Sequence, residues 1–296
     1  MKRSKQEIKQ RIRDGRTKKV FIVNTVLNIF VIGIFIRSLM LGNFNSAFIC
    51  LMTLCLFSVP SIVKHTFNVK LPATLEIIVL FFIFCAEILG ELGNYYMSFP
   101  HWDTMLHSTW GFLCAALGFA LVDIINQNDK IKFNLSPVYV AIVAFCFSMT
   151  VGVFWEFFEF SADMILGTDT QKDTIITEIT STLLSEAKDG AAVTVSGIKE
   201  TIINGDTIIN GYIDVGLRDT MGDLFVNFIG AFIFSVIGYI YIKYRGSNTR
   251  AKKFAEKFIP TLDEEEIARD RQRELRKAEK KKKETESGKN ESEIDQ

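Results

Sequence analysis

Acidic residues and one histidine recur at helical spacing near the ends of apolar segments. Asp103 and His107 are four residues apart, and two later segments each carry three polar residues separated by three to eight positions. Such spacing places side chains on one face of a helix. Carboxylates and an imidazole that converge can bind a divalent cation or transfer protons. The polar residues of the later segments are Glu156, Glu159 and Asp163, followed by Asp219, Asp223 and Asn227.

These residue types suggest two kinds of chemistry. His107 and Glu156 are the candidate catalytic acid or base, because an imidazole or a carboxyl group in a polar cluster can exchange protons. An oxygen-rich ligand set with one histidine favours Mg, Mn or Zn over copper or haem. The sequence lacks a fixed signature such as His-Glu-x-x-His, so it does not identify the metal. The candidate metal ligands are Asp103, His107, Glu156, Glu159, Asp163, Asp219 and Asp223.

The segments that carry these residues are long and apolar. The chain has 296 residues, of which 48% are hydrophobic and 26 are phenylalanine. Since about 20 apolar residues are needed to cross the ~30 Å hydrocarbon layer, a soluble globular protein is excluded. The sequence predicts an all-α polytopic membrane protein with six transmembrane helices and a small β-containing extracytoplasmic loop. The predicted spans are Val20 to Leu41, Phe44 to Val63, Leu71 to Leu89, Thr104 to Ile124, Val138 to Phe160 and Leu224 to Ile242.

Basic residues are concentrated at the two ends of the chain. Residues 1–19 contain nine Lys or Arg against two acids, and residues 243–296 contain sixteen against thirteen. The long connection after the fifth span is poor in basic residues, so the positive-inside bias predicts cytoplasmic termini and an extracytoplasmic loop. With this orientation the polar positions fall in one layer on the outer side. The spans contribute Glu87, His107, Glu156 and Asp223 to that layer.

This topology divides the chain into five regions. They are a cytoplasmic basic segment (1–19), helices 1 to 5 (20–160), an extracytoplasmic loop (161–218), helix 6 (219–243) and a cytoplasmic charged tail (244–296). The repeated Thr-Ile-Ile-Asn-Gly of the loop predicts a hairpin that turns at Asn204-Gly205 or Gly205-Asp206, although a flexible linker is an alternative. The basic segment is either an interfacial helix or a topology signal. The tail from residue 263 onwards is expected to be solvated. Membrane lipids are the expected partners, and nucleic acid is not.

Some residues require no special chemistry. Glu76 and Asp123 fall at the predicted cytoplasmic interfaces and are interpreted as solvated helix ends. The five cysteines lie inside apolar runs, where a thiol behaves as a small hydrophobic group.

Three hypotheses account for the polar layer. It is a catalytic or ligand- or metal-binding site that serves cell-envelope chemistry, a transport pathway for an ion or a small solute, or a set of structural hydrogen bonds across helix contacts at small residues. A polar path that continued to the cytoplasmic side would favour transport. The acids lie only in the predicted outer half, which favours a surface site. The small residues of the structural hypothesis are Gly90, Gly111, Gly152 and Gly230.

Several motifs around these residues resemble a known family. They lie between about Lys18 and Tyr244, and the chain resembles the YjdF-like bacterial inner-membrane proteins, whose role is uncharacterised. The resemblance implies a multi-pass protein of the bacterial inner membrane. The motifs are Gly90-Glu-Leu-Gly93, His101-Trp-Asp-Thr-Met-Leu-His107 with Gly111, Glu156-Phe-Phe-Glu159 with Asp163, and Arg218-Asp-Thr-Met-Gly-Asp223 with Asn227 and Gly230.

A more distant similarity is to the VanZ-like proteins, which are associated with glycopeptide-antibiotic resistance at the cell envelope. Their pattern is Asp-x-x-x-His on one span, Glu-x-x-Gln on the next and Arg, Asp, Asn and Gly on the last. The chain departs from it because Glu159 replaces the Gln and a long loop intervenes. The resemblance implies an envelope protein with an outward-facing polar site and implies no particular reaction. The matching residues are Asp103, His107, Glu156, Arg218, Asp223, Asn227 and Gly230.

Overall fold

The computed structural model describes residues 5–67, 69–126, 135–186 and 190–262. Over these residues the chain is mainly helical, with a few short strands, and six helical stretches are long and apolar enough to cross a membrane. The predicted class of a polytopic helical membrane protein is confirmed. The six stretches are Lys18–Met40, Phe44–Thr66, Ala73–Leu92, Trp102–Asp123, Pro137–Leu166 and Leu217–Lys243.

The helices follow the predicted segments, with two interruptions. The second stretch consists of two helices with a break before Pro60, whose missing N–H cannot continue the helical hydrogen bonds. The third stretch continues from an α-helix into a π-helical segment, Phe84–Leu92. The α-helices are α1 (Lys5–Met40), α2 (Phe44–Leu56), α3 (Val59–Phe67), α4 (Ala73–Ile83), α5 (Tyr95–Ser98), α6 (Trp102–Asn126), α7 (Pro137–Leu166), α8 (Leu217–Lys243) and α9 (Arg250–Ala255).

The two helices that flank the long loop extend beyond the predicted spans. Helix α7 continues past Phe160 to Leu166, and α8 begins at Leu217, seven residues before the predicted start at Leu224. The predicted spans stop where the apolar run meets charged residues. The helices include those charged residues because a polar helix face can lie against other parts of the protein. The helix ends are set by Gly167 and Gly216, whose φ angles of +67° and +69° suit glycine.

In its described residues, the loop between α7 and α8 contains three two-stranded antiparallel pairs: β2 with β7, β3 with β4, and β5 with β6. The predicted hairpin is confirmed, because Thr201 pairs with Ile209 and Ile203 with Thr207. Its turn includes Asn204 and Gly205, both at positive φ, as a tight hairpin requires. The strands of the loop are β2 (Thr174–Ile176), β3 (Glu178–Ser181), β4 (Val193–Ser196), β5 (Thr201–Ile203), β6 (Thr207–Ile209) and β7 (Tyr212–Asp214).

The chain forms two compact units. The first unit comprises the described residues within Met1–Asn94, Ala120–Leu135 and Ile240–Gln296, and the second comprises those within Tyr95–Phe119 and Ser136–Tyr239. In the first unit, α1, α2 and α4 pack around a core that includes Val31, Cys50 and Leu80. All five cysteines are free, as expected for small apolar groups.

Two acids of the first unit contradict the sequence interpretation. Glu76 and Asp123 are not solvated helix ends but buried members of ion pairs. Asp123 is 2% exposed, and both its carboxylate oxygens accept hydrogen bonds from Arg245, at 2.6 and 2.7 Å. Glu76 accepts a hydrogen bond from Lys64 at 2.6 Å. The partners lie 122 and 12 residues away in the chain, so helical spacing could not reveal them.

The first part of the C-terminal region is folded into the first unit. Strand β8 (Thr261–Leu262) pairs with β1 (Val69–Lys70), and Ala255 and Ile259 are each 1% exposed. This region was expected to be only a charged tail. The predicted solvated tail from Asp263 onwards lies outside the described residues. The same holds for the side chains of the N-terminal basic segment up to Thr17 and for the basic connection at Lys130 and Lys132.

In the second unit, α6, α7 and α8 approach one another at glycines. A Cβ at Gly230 would overlap the carbonyl oxygen of Ser108, and one at Gly111 would overlap the carbonyl oxygen of Asn227. A Cβ at Gly152 would lie 2.7 Å from the side-chain nitrogen of Asn227. These close contacts fix the relative depth of three helices, which positions the polar side chains near the starts of α6 and α8.

Candidate metal and acid–base site

Three side chains of the second unit converge on one point. Among the described residues, Asp103, His107 and Asp223 each offer one ligand atom within 4.8 Å of the others. His107 Nε2 lies 3.5 Å from Asp103 Oδ1 and 3.5 Å from Asp223 Oδ2. All three side chains are mostly buried. The structure therefore brings together residues of α6 and α8 that are more than one hundred positions apart in the sequence.

The helix ends explain why carboxylates are tolerated here. Asp103 lies in the first turn of α6, and Asp219 lies in the first turn of α8. The free N–H groups at a helix N-terminus stabilise negative charge by about 0.3 to 1 kcal/mol. His107 and Asp223 follow one turn later, on the faces of their helices that carry Asp103 and Asp219. The i, i+4 spacing seen in the sequence thus corresponds to real shared faces.

Glu156 of α7 lies beside this cluster. It is 5% exposed, and the charges of Asp103 and Asp219 act on it. The side chains of Thr220 and Gln171 are within hydrogen-bonding reach of its carboxylate. Its Oε2 atom is buried without a hydrogen-bond partner among the described residues. A buried carboxylate oxygen that lacks a partner is costly unless a proton or a ligand completes it.

Lys172, from the loop, reaches into the same cluster. Its ammonium group donates to Asp103 Oδ2 and lies 4.8 Å from the centre of the Tyr96 ring. Burial alone would lower the pKa of Lys172, but its hydrogen bond to Asp103 and the surrounding carboxylates raise that pKa above its usual value. Lys172 is therefore a cation at neutral pH, and it neutralises part of the acidic charge.

Asp163 has a different position from the one predicted. Its Oδ1 accepts hydrogen bonds from the backbone N–H of Thr170 and from the hydroxyls of Thr168 and Thr170, at 2.7 to 2.8 Å. Its Oδ2 accepts the backbone N–H of Gln171 at 2.9 Å. With four hydrogen bonds accepted, Asp163 holds the start of the loop, residues 168–172, against the end of α7. Hereafter we call residues 168–172 the strap.

The other predicted ligands occupy intermediate positions. Glu159 accepts a hydrogen bond from the Trp155 indole at 2.9 Å. Asp219 lies within electrostatic range of Lys172 and Asp103. The group that could hold a metal thus contains three of the seven predicted ligands, with Glu156 and Asp219 close enough to influence its charge. Glu87, which the sequence placed in the same layer, belongs to the first unit.

A layer of tightly packed residues lies one helical turn beyond Asp223. Asn227 is 1% exposed and fits against Gly111 and Gly152, while the hydroxyl of Ser148 donates to the Gly111 carbonyl at 2.8 Å. Further along α6 and α8, the rings of Phe119 and Phe234 are fully buried and contact each other edge to face. These contacts support the predicted role of small residues at the helix interface, and they coexist with the cluster.

The two separations around His107 are close to those between neighbouring ligands of a small divalent cation. A metal with ligand distances of about 2.1 Å holds neighbouring ligand atoms about 3.0 to 3.4 Å apart. The 3.5 Å separations around His107 are close to this, and they are long for strong hydrogen bonds. One imidazole nitrogen and two carboxylate oxygens suit Mn or Zn, and with further water ligands Mg.

Sequence analysis missed three residues of the site: Lys172, Gln171 and Thr220. The Gln171 amide donates to the Thr220 hydroxyl at 2.6 Å, which links the strap to α8. Thr220 lies within the Arg218 to Asp223 motif, but a threonine near a helix start has no distinguishing signal. The strap residues lie in a loop, where helical periodicity carries no information.

Comparison with protein families finds one match, which covers residues 21–244. The matching family is described as predicted membrane protein, DUF2238, and it supports the membrane class. Neither the curated proteins nor the solved structures include a match to the chain. The YjdF-like and VanZ-like resemblances remain predictions from the motifs. Because the match spans most of the sequence, including every residue of the candidate site, the chain belongs to the DUF2238 family of membrane proteins.

Proposed function

We propose that this protein binds a divalent cation through Asp103, His107 and Asp223, and that Glu156 acts beside it as an acid or base. We place the site at the outer face of a bacterial inner membrane, with both termini in the cytoplasm. The distribution of Lys and Arg along the chain supports this orientation. The class of activity is acid–base chemistry on a ligand held at the cell envelope.

The observation that carries the proposal is the position of His107. Its Nε2 lies equally far, at 3.5 Å, from a carboxylate oxygen on either side. A histidine in a purely structural role normally makes a shorter hydrogen bond to one partner. Equal separations of this length leave room for a cation shared by the three side chains.

Charge supports the same conclusion. Four carboxylates, those of Asp103, Glu156, Asp219 and Asp223, influence one another in this cluster, whereas Lys172 supplies one positive charge. Acids buried at a membrane boundary are expensive unless they are paired or hydrated. A divalent cation would offset most of the remaining charge, and a bound proton on Glu156 would offset more.

The packing of the second unit favours a surface site over transport. Phe119 and Phe234 are fully buried beyond Asn227, and their ring centroids are 6.0 Å apart. A cation pathway would need a continuous series of polar groups at this depth, and the buried hydroxyl of Ser235 beside Phe234 does not by itself provide one. The transport hypothesis is therefore less well supported than binding near one end of the helices.

The first experiment measures cation binding to the purified full-length protein in detergent. Isothermal titration with Mn²⁺ and Zn²⁺ should show one site, and Asp103→Asn, His107→Ala and Asp223→Asn should each weaken it by at least about 100-fold. Asp206→Asn, in the exposed hairpin turn, is the matched control and should bind as the wild type does. Wild-type protein that binds neither cation, or three variants that bind normally, would overturn the proposal.

The orientation is tested separately with topology reporters. A reporter inserted at Gly205 should score extracytoplasmic, and one fused after Gln296 should score cytoplasmic. The opposite result would place the site on the cytoplasmic side and would contradict the envelope role.

A further inference from the structure

The two oxygens of Asp103 have different neighbours. Oδ2 accepts a hydrogen bond from the Lys172 ammonium group, whereas Oδ1 faces His107 Nε2 at 3.5 Å. A cation bound between Asp103, His107 and Asp223 could therefore be bound by only one oxygen of Asp103, because Lys172 already donates to the other. This asymmetry comes from a loop residue and not from the helices that carry the ligands.

We propose that Lys172 is the specificity-determining residue of the cluster: it restricts Asp103 to one-oxygen ligation and so selects small divalent cations over Ca²⁺. The inference rests on the proposed cation site and extends it to the choice of cation. Lys172 acts through Asp103 and is a positioning residue in this role.

The coordination preferences of the cations provide the chemical reason. Ca²⁺ takes six to eight oxygen ligands at about 2.3 to 2.6 Å and commonly uses both oxygens of a carboxylate. Mg²⁺, Mn²⁺ and Zn²⁺ take four to six ligands at shorter distances, so one oxygen from each carboxylate is sufficient. When Lys172 holds Oδ2, Asp103 cannot supply the two-oxygen ligation that Ca²⁺ commonly uses, whereas the smaller ions need only its Oδ1.

Lys172 is held firmly enough to impose this restriction. The Lys172 Nζ atom lies 4.8 Å from the centre of the Tyr96 ring, and the same atom donates to Asp103. The strap is fixed by the four hydrogen bonds that Thr168, Thr170 and Gln171 donate to Asp163. Next to Lys172, the Gln171 side chain donates to Thr220 of α8 at 2.6 Å. An ordinary surface lysine would lose side-chain entropy to hold one geometry, but here the backbone and an aromatic ring already fix it.

Two effects of removing Lys172 can be separated. Loss of its positive charge should increase the affinity of the cluster for every divalent cation to a similar degree. Release of Asp103 Oδ2 should add a ligand that only Ca²⁺ needs, so it should change the ratio of affinities. The ratio is therefore the measurement that reports on specificity and not on charge.

The experiment titrates Mn²⁺ and Ca²⁺ into full-length wild type, Lys172→Met and Lys172→Ala in detergent. We expect wild type to prefer Mn²⁺, and both variants to bind the two cations more tightly, with the gain for Ca²⁺ about tenfold larger than that for Mn²⁺. Lys199→Met, at an exposed loop position, should leave both affinities unchanged. Thermal melting identifies any variant that fails to fold, and the second substitution then provides the result.

Equal gains for Mn²⁺ and Ca²⁺, or unchanged affinities in folded Lys172 variants, would overturn the specificity role. Such a result would leave the cation site standing, provided that Asp223→Asn abolishes Mn²⁺ binding in the same assay. A wild type that binds neither Mn²⁺ nor Ca²⁺ would overturn the cation site and, with it, this inference.

Discussion

The buried acids of the two compact units have different surroundings. In the first unit, Asp123 accepts two hydrogen bonds from Arg245, and Glu76 accepts one from Lys64. In the second unit, the carboxylates around His107 outnumber the nearby basic groups, and Glu156 Oε2 lacks a hydrogen-bond partner among the described residues. The first arrangement pairs each acid with a fixed basic residue. The second has more acidic groups than basic ones, and one of its buried carboxylate oxygens lacks a hydrogen-bond partner among the described residues.

The two arrangements suggest how acids that serve the fold can be separated from acids that bind a ligand in a membrane protein. Hydropathy treats all of them as equal interruptions of an apolar span. A structural acid should matter for folding and should be indifferent to added cations. A functional acid should matter for binding and should be dispensable for folding, because burying an unpaired carboxylate destabilises the fold.

The largest effect on stability is expected from breaking the Asp123 ion pair. Arg245→Met should lower the free energy of unfolding by about 3 kcal/mol, since it removes the two hydrogen bonds that Arg245 donates to a buried carboxylate. Thermal melting in detergent measures the loss, and titration should show unchanged Mn²⁺ affinity. Arg250→Met, at an exposed position of α9, is the matched control and should melt as the wild type does.

An unchanged melting temperature of the Arg245→Met variant would mean that the ion pair contributes little. In that case the contrast between the two units would rest on the cluster alone.

An effect of similar size but opposite sign is expected when the cluster receives its cation. At a free Mn²⁺ concentration 100 times the dissociation constant, the folded wild type should gain about 2.7 kcal/mol of stability. Asp223→Asn should gain almost nothing, and Arg245→Met should gain as much as the wild type. Melting with Mn²⁺ and with a chelator measures each difference. Equal stabilisation of wild type and Asp223→Asn would place the bound cation elsewhere.

These contrasts also show what the sequence could provide. The six spans follow from apolar length, and the pairing of Asp103 with His107 follows from one helical turn. Asp223 could be assigned to the same site because a charged helix face must turn away from lipid. The prediction of which helix face a residue occupies was correct wherever the residues are related by helical spacing.

The remaining contacts depend on chain reversals that have no period. Arg245 reaches Asp123 from a turn after α8, and Lys172 reaches Asp103 from the strap. Asp163 lies seven residues after Glu156 on the same face of α7, and this spacing predicted that both are ligands. The strap folds back, however, and its backbone N–H groups donate to the carboxylate oxygens of Asp163. Only the three-dimensional path of the loop distinguishes these two acids on one helix.

The smallest effect on stability is expected for Glu156→Gln. The amide is nearly isosteric with the carboxylate and keeps one oxygen for the Thr220 and Gln171 contacts. The free energy of unfolding should therefore change by less than about 1 kcal/mol. Function should nevertheless be lost, because an amide cannot accept or deliver a proton. The measurement asks whether the variant restores the wild-type phenotype to a deletion strain. The variant and the wild type are compared at equal amounts of protein in the membrane.

The structural hypothesis makes the opposite prediction for the same substitution. If Glu156 only joins helices, a neutral amide is cheaper to bury than a carboxylate, and the variant should be at least as stable and fully functional. Glu178→Gln, at an exposed position of β3, controls for a simple loss of negative charge. A folded Glu156→Gln variant that restores the phenotype would remove the acid–base role. The cation site of Asp103, His107 and Asp223 would still stand, since its ligands do not include Glu156.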